Sequence, residues 1–279
     1  MDSLPARYVP VRSAPLRFQP GLAPFGTDFG NGEADRRFFQ IDVERDRYLE
    51  AKRRVDGARH RVLERDEAEA CVHREVLAWV GATLCREHPG LLDPVPESYR
   101  AIGAAVQEDL VVLHRRADGR DAAIAVDVSF PSDWRPERIV DTDFRFIHGP
   151  VPGFADSDVQ ARAMVSAMID RGPHVRFVWT LKPAADLDLH PEKGRHAEWS
   201  AGGEGFLRVE RQVTVPFADV GASLFLIRTY LYAFSSLSAA ERETLRAAVE
   251  SMPPEPARYK GIAAAKPIIL ARLADTHAP

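Results

Sequence analysis

The stretches "FLRVERQVTVPF" (206–217) and "ASLFLIRTYLYAF" (222–234) decide the fold. Both are rich in β-branched and aromatic residues, which are typical of strands. The four residues "ADVG" between them are too few for a crossover helix, so the two strands must pair antiparallel as a hairpin. An antiparallel sheet in a chain that also has helical segments predicts an α+β fold and not a doubly wound α/β fold.

Further strands precede this hairpin. "DLVVLHRR" (109–116) and "DAAIAVDVSF" (121–130) flank an Asp-Gly turn dipeptide and predict a second hairpin. "HVRFVWTL" (174–181) predicts a fifth strand, because its apolar residues alternate along one face. The polar stretch 182–204 follows it, and we expect a mobile loop there.

Helical patterns fill most of the remaining chain after residue 41. The clearest helix start is Ser238, which has Glu241 three residues later and so forms a capping box. The predicted helices are 42–65, 68–87, 157–170, 238–252 and 256–275. Together with the strands they predict one domain over 41–279, in which an antiparallel sheet carries helices at its N- and C-terminal ends.

Residues 1–40 have a different character. Five prolines and four glycines interrupt this segment, so it predicts an extended arm and not a helix. Its apolar residues suggest that part of the arm docks on the domain, and they are Leu16, Phe18, Leu22 and Phe25.

Composition excludes several classes of protein. The 279 residues carry a formal net charge of −4, which lacks the basic excess of a nucleic-acid-binding domain. No run of 18 apolar residues and no secretory signal is visible, so we expect no membrane span and a cytoplasmic location. The two cysteines, Cys71 and Cys85, are too few for an iron–sulfur cluster or a structural zinc site.

The stretch "FRFIHGPVPGF" (144–154) contains the histidine with the most unusual setting. Gly149, Pro150 and Pro152 follow His148, and they stiffen the backbone just after it. No HExxH, GxGxxG, GxxxxGK[ST] or GxSxG motif occurs to suggest another chemistry. Two interpretations of His148 stay open at this point. It is a packed structural histidine, or it is the single axial ligand that haem requires from a protein.

Charged residues also interrupt the predicted strands. Arg228 breaks a strand that is apolar on both faces, and this predicts either a structural ion pair or a guanidinium facing a bound carboxylate, a propionate or an iron-bound oxygen. Arg176, Arg208 or Arg211 can pair with Glu210 as a structural ladder across the sheet.

A set of short motifs, in this order, resembles the haem-dependent oxidative N-demethylase alpha-subunit-like family. The resemblance extends from about residue 18 to the C-terminal helix. Each motif is weak alone, and their shared order and spacing carry the resemblance. The motifs are "FPSDWRPER" (130–138), "IHGPVP" (147–152), "LRVERQ" (207–212), "FLIRTYLY" (225–232) and "YKG" (259–261).

This resemblance implies a PAS-like sheet with haem b in a pocket between sheet and helices. It also implies oxidative N-demethylation of a small secondary amine, with O₂ and with electrons from a separate FMN and iron–sulfur reductase. By motif, His148 is the expected proximal iron ligand, and Pro150 belongs to the same cofactor-binding motif. Arg228 is the first candidate for the polar distal side, with Tyr230 and Arg176 as lesser candidates.

One position departs from the family pattern. The family commonly has Arg-x-Asn-Trp where this chain has Arg176, Phe177, Val178 and Trp179. Valine offers no hydrogen bond, so the departure bears on the substrate more than on the fold or the iron ligand. Two alternatives to an oxygenase therefore remain. The first is a haem-based gas or redox sensor or a non-catalytic haem protein, and the second is an α+β protein whose His148 is merely packed in its turn.

Overall fold

The computed structural model of the protein describes residues 3–12, 21–55, 57–94, 96–152, 158–193, 197–200 and 202–274. Their strands form one antiparallel sheet in the order β1–β5–β6–β7–β3–β4–β2. The strands are β1 (Ala23–Pro24), β2 (His60–Val62), β3 (Asp109–Arg115), β4 (Asp121–Asp127), β5 (His174–Lys182), β6 (Phe206–Phe217) and β7 (Ala222–Ala233).

Helices flank this sheet. They are α1 (Arg45–Arg53), α2 (Glu67–Glu87), α3 (Tyr99–Gly103), α4 (Phe144–His148), α5 (Asp158–Asp170), α6 (Ala239–Glu250), α7 (Pro254–Tyr259) and α8 (Lys266–Ala274). The predicted α+β fold with an antiparallel sheet and flanking helices is confirmed. Within the described part of the chain, no helix combines the length and the apolar character that crossing a membrane requires.

The two predicted hairpins are confirmed. Strands β6 and β7 pair along their whole lengths, from Phe206 opposite Ala233 to Phe217 opposite Ala222. Gly221 closes this hairpin with φ at +62°, a left-handed conformation that glycine adopts without strain. Strands β3 and β4 form the second hairpin, and β3 pairs with β7, so the two hairpins belong to one sheet.

Two helix predictions are wrong in their extent. The helix predicted over 42–65 ends at Arg53, and His60–Val62 instead pair with β4 at the sheet edge. Gly57 lies between these two elements, where its flexible backbone disfavours a continuous helix. The helix predicted over 256–275 is interrupted at Gly261, whose φ of +68° is incompatible with a helix, and it is divided into α7 and α8.

The sheet has two faces with different coverings. On the first, called the α2 face, Val175, Val213 and Leu226 share a core with the buried stripe of α2, and α6 and α8 pack farther along. On the second, called the α5 face, α4 and α5 pack against residues that include Leu113 and Phe225. Each fully buried aliphatic side chain in such a core stabilises the fold by about 1.5–3 kcal/mol.

The N-terminal segment crosses the α2 face. The Tyr8 hydroxyl donates to an Asp35 carboxylate oxygen at 2.8 Å and accepts from the Gln40 amide at 2.7 Å, with all three side chains buried. Phe25 stacks on Phe38 with ring centroids 4.0 Å apart. Docking of this segment agrees with the sequence expectation, although Leu16 and Phe18 lie outside the described residues. The boundary of an arm at residue 40 stays a prediction.

The capping box at Ser238 gives a stability prediction. The Glu241 backbone N–H donates to the Ser238 hydroxyl at 3.2 Å, and the Ser238 N–H donates to the Glu241 carboxylate at 2.7 Å. We expect Ser238→Ala to lower the free energy of unfolding by about 1 kcal/mol, because the Glu241 amide in the first turn of α6 loses its partner. Urea denaturation measures this loss. Ser251→Ala, at the other end of α6, is the control and should cost less; an equal cost would contradict the capping argument.

Candidate functional site

Helix α4 carries His148 as its last residue. The Asp143 carboxylate caps the helix by accepting from the Phe146 N–H at 2.6 Å. The Pro/Gly turn predicted from the sequence begins immediately afterwards, and the Val151 N–H donates to the His148 carbonyl at 2.9 Å. Pro150 lies exposed in this turn. The histidine is therefore held by a short helix before it and a stiff turn after it.

The His148 ring has a defined tautomer. Its Nδ1 lies 3.0 Å from the Phe144 carbonyl oxygen, and a carbonyl can only accept, so Nδ1 carries the proton and Nε2 carries the lone pair. The ring also packs on Phe144 with centroids 4.0 Å apart. Burial lowers the pKa of His148 to about 4. The nearby charge of Arg176 also lowers this pKa, whereas the hydrogen bond to the Phe144 carbonyl raises it. The imidazole is therefore neutral at physiological pH, as a metal ligand must be.

Arg176 shares the surroundings of His148. It lies on β5 opposite Gln212 of β6, and Val178 on the same strand lies opposite Glu210. These four side chains point to the α5 face by strand alternation, and each is half-buried. Burial is the largest influence on the pKa of Arg176, which it lowers, and the charge of Arg176 in turn helps to lower the pKa of His148, so the two side chains lie near each other. We call the space bordered by His148, Arg176, Val178, Glu210 and Gln212 the recess.

The Arg176 guanidinium lacks a bonded partner in the described part of the chain. Its Nε is buried and makes no hydrogen bond, and no ion pair within 4.0 Å joins the guanidinium to a carboxylate. Glu210 and Tyr259 are near enough to raise its pKa against the effect of burial. A buried Nε–H without a hydrogen bond is costly and calls for an explanation.

Glu210 is engaged by other residues. Its carboxylate accepts from the Gln212 amide at 3.0 Å and lies 3.5 Å from Arg208 Nε. Arg208 also donates to the carbonyl oxygens of Leu187 at 2.8 Å and Phe130 at 2.7 Å. Arg208 and Glu210 therefore form an ion pair along β6, whereas the ladder expected from the sequence runs across the sheet. Arg211 points to the α2 face, where it donates to a backbone carbonyl.

The structure places Arg228 and Tyr230 away from the recess. Arg228 lies opposite Arg211 and Tyr230 opposite Val209, so both side chains point to the α2 face. Arg228 donates to the Asp42 carboxylate at 2.8 Å, and its guanidinium lies 4.0 Å from the Tyr48 ring centroid. The Tyr230 hydroxyl donates to the Gln40 side-chain oxygen.

The exposures of Arg228 and Tyr230 are 1% and 2%. The structure thus brings His148 and Arg176 together. Arg228 forms an ion pair, which is one of the two roles that its sequence setting predicts. The expectation that Arg228 and Tyr230 line the distal side finds no support in this geometry. The recess position of Glu210 was missed as a site feature, although strand alternation from Arg208 and Gln212 contains the signal.

The "YKG" motif lies at the edge of β5. Lys260 donates to the Trp179 carbonyl, and its ammonium lies 4.5 Å from the centroid of the Trp179 ring. The Thr180 hydroxyl donates back to the Lys260 carbonyl at 3.3 Å. Burial lowers the pKa of Lys260 to about 8, although Glu210 opposes this shift. The turn after α7 is therefore hydrogen-bonded to β5, the strand that carries Arg176.

The pKa of Lys260 predicts a pH dependence of stability. An unfolded lysine has a pKa near 10.4, so between pH 8 and about 10 the unfolded chain binds more protons than the folded chain. The free energy of unfolding should rise with pH in this window, by at most about 1.4 kcal/mol per pH unit. We expect Lys260→Met to lose this rise and Lys193→Met, at an exposed lysine, to keep it. Urea titrations at each pH measure both, and an unchanged rise in Lys260→Met would contradict the assignment.

Comparison with known proteins agrees with this geometry. A family model described as "Haem-dependent oxidative N-demethylase, alpha subunit-like" matches residues 91–270. The chain belongs to this family. The match covers five strands of the sheet, helix α4 with His148, and the "YKG" motif, so the resemblance drawn from the sequence is confirmed over these residues. Its extension back to about residue 18 stays a prediction. No curated protein matches the chain.

Proposed function

We propose that the protein is a haem-dependent monooxygenase that oxidatively demethylates a small secondary amine. O₂ and electrons from a separate FMN and iron–sulfur reductase complete the reaction. Membership of the N-demethylase family supports the haem dependence, and the alpha-subunit description supports a partner subunit. The observation that carries the proposal is the hydrogen bond between His148 Nδ1 and the Phe144 carbonyl at 3.0 Å. Histidines that ligate metals almost always donate their other ring nitrogen in this way.

The residues of the recess fit haem b. His148 supplies a neutral imidazole whose Nε2 carries the lone pair, and Phe144 and the α4 backbone fix the ring orientation. Arg176 brings an unbonded cation to the same space, next to which an anionic group is favoured. When bound, haem supplies the iron at which O₂ is activated and the amine oxidised.

The proposed choice of substrate follows from the residues of β5 and β6 that border the recess. Val178 presents an apolar surface where the family commonly has asparagine, while Glu210 and Gln212 provide polar atoms next to it. An amine bound there packs its apolar part on Val178 and cannot receive a hydrogen bond from that position. We therefore propose a small amine whose identity differs from the substrate of relatives that have the asparagine.

Purification from cells supplied with a haem precursor tests the proposal. We expect one haem per chain, seen as a Soret band, and formaldehyde release that depends on amine, O₂ and a flavin and iron–sulfur reductase. Colourless protein that also fails to take up added haem would overturn the proposal. Bound haem without turnover across a panel of secondary amines would instead favour a gas or redox sensor or a non-catalytic haem protein.

A further inference from the structure

We infer that Arg176 is the receptor for a carboxylate that enters the recess beside His148. This inference rests on the proposed function, because it concerns what the haem site binds. The carboxylate has two possible sources. One is a propionate of the haem, and the other is the carboxylate of an N-methylated amino acid that serves as the amine substrate.

The first step of the argument is the absence of a bonded partner for a half-buried cation. Among the described residues, the Arg176 guanidinium makes no hydrogen bond and no ion pair, and its Nε is buried. The three fully buried arginines of the central strands are all bonded through their terminal nitrogens. Arg208 holds two carbonyls, Arg211 holds one, and Arg228 holds the Asp42 carboxylate. Arg176 is the exception, and it is the arginine that shares the recess with His148.

The second step is the balance of charge around the recess. Glu210 is the nearby carboxylate, and its oxygens already contact Gln212 and Arg208. Its position diagonally across the strand pair from Arg176 corresponds to a separation of about 7–8 Å between backbones, which suits attraction without a direct bond. Among the described residues, Arg176, Arg208 and Lys260 interact with the single carboxylate of Glu210, so their positive charges exceed its negative charge. A negatively charged ligand removes part of that surplus.

The third step identifies the anion as a carboxylate. A guanidinium presents parallel N–H groups that match the two oxygens of a carboxylate. A haem propionate meets this description without any further assumption. An N-methyl amino acid meets it as well. Its carboxylate would bind Arg176, and its ammonium, a few ångströms away, would face the Glu210 carboxylate, which lies on the same face of the sheet as Arg176.

The test compares wild type with Arg176→Gln, Arg176→Lys and the control Arg162→Gln, which changes an exposed arginine on α5. In the first arm, apoprotein is titrated with haem b and with its dimethyl ester, and the Soret band reports affinity. If a propionate is the ligand, wild type binds haem about tenfold to a hundredfold more tightly than the ester, and Arg176→Gln loses this difference.

In the second arm, haem-loaded protein is titrated with N-methylglycine and with dimethylamine. If a substrate carboxylate is the ligand, wild type prefers N-methylglycine by about the same factor, Arg176→Gln loses the preference and Arg176→Lys retains part of it. Arg162→Gln should behave as wild type in both arms. Unchanged affinities of Arg176→Gln in both arms would overturn the inference.

Two measurements distinguish failure of this inference from a structural role of Arg176 and from failure of the proposed function. Removal of a cation that lacks a bonded partner should leave the free energy of unfolding equal or higher, so a large loss of stability in Arg176→Gln would show a structural role and contradict the inference. If wild-type protein takes up no haem, the proposed function fails. Calorimetric titration of the apoprotein with N-methylglycine then decides the inference alone, because binding that Arg176→Gln abolishes supports it and no binding overturns it.

Discussion

His148→Ala is expected to yield folded protein that no longer retains haem. The imidazole is the proposed iron ligand, and its loss removes the protein's bond to the metal, so we expect haem affinity to fall by more than about a hundredfold. His148 is half-buried at the end of a short helix, so the substitution should change stability much less than it changes haem binding. Haem titration followed at the Soret band, with far-UV circular dichroism as a check of folding, measures both quantities.

Rescue by an external ligand makes this prediction sharper. His148→Gly leaves space for free imidazole, and added imidazole should restore haem binding and a spectrum close to that of wild type. The matched control is His114→Gln, because His114 is a buried histidine of β3 that lies opposite Ala222 and points to the α2 face. It should keep its haem. A wild-type spectrum in His148→Ala would refute the assignment of the ligand.

Asp42→Asn is expected to lower the free energy of unfolding by about 3–5 kcal/mol. The Asp42 carboxylate accepts from Arg228 at 2.8 Å and from the Gln107 amide at 2.9 Å, and the side chains of this ion pair are 4% and 1% exposed. The substitution leaves the Arg228 charge buried without its counter-ion, which is the costly way to break such a pair. Urea denaturation monitored by fluorescence measures the change.

Two controls fix the cause of that loss. Asp158→Asn breaks the exposed ion pair with Arg145 and should cost less than about 1 kcal/mol. The double variant Asp42→Leu with Arg228→Met removes both charges and should be more stable than Asp42→Asn alone. Its haem spectrum should equal that of wild type, because Arg228 points to the opposite face from His148. A shifted Soret band in the folded double variant would mean that Arg228 does reach the haem.

The strands and the long helix α2 could be predicted from the sequence because their patterns are local. Strand β6 alternates apolar and polar residues along most of its length, with Arg211 as the interruption of its apolar face, and the capping box fixes the start of α6. The edge strand His60–Val62 was missed, since its three residues follow a charged helical pattern and their strand character comes from pairing with β4. A short segment of this kind is decided by tertiary contacts and not by its own propensity.

The candidate site could be predicted in part. His148 is marked by the turn that follows it, but its tautomer depends on a carbonyl of α4, a helix too short to give a periodic pattern. The sequence leaves the role of Arg228 open between an ion pair and a pocket, because its strand is apolar on both faces and alternation does not distinguish them. Its partner Asp42 lies far away in the sequence and could not be paired with it without the fold.

The strand order has a consequence for synthesis of the chain on the ribosome. The β3–β4 hairpin emerges early, yet β7, the other neighbour of β3, begins more than a hundred residues after β3 ends, and Leu110 pairs with Leu226. Until then the nascent hairpin presents an unpaired edge, and the core that it shares with α2 lacks the side chains of β7. Truncated translation products that stop before β7 should therefore aggregate or bind chaperones, and high-yield expression should benefit from slow growth at low temperature.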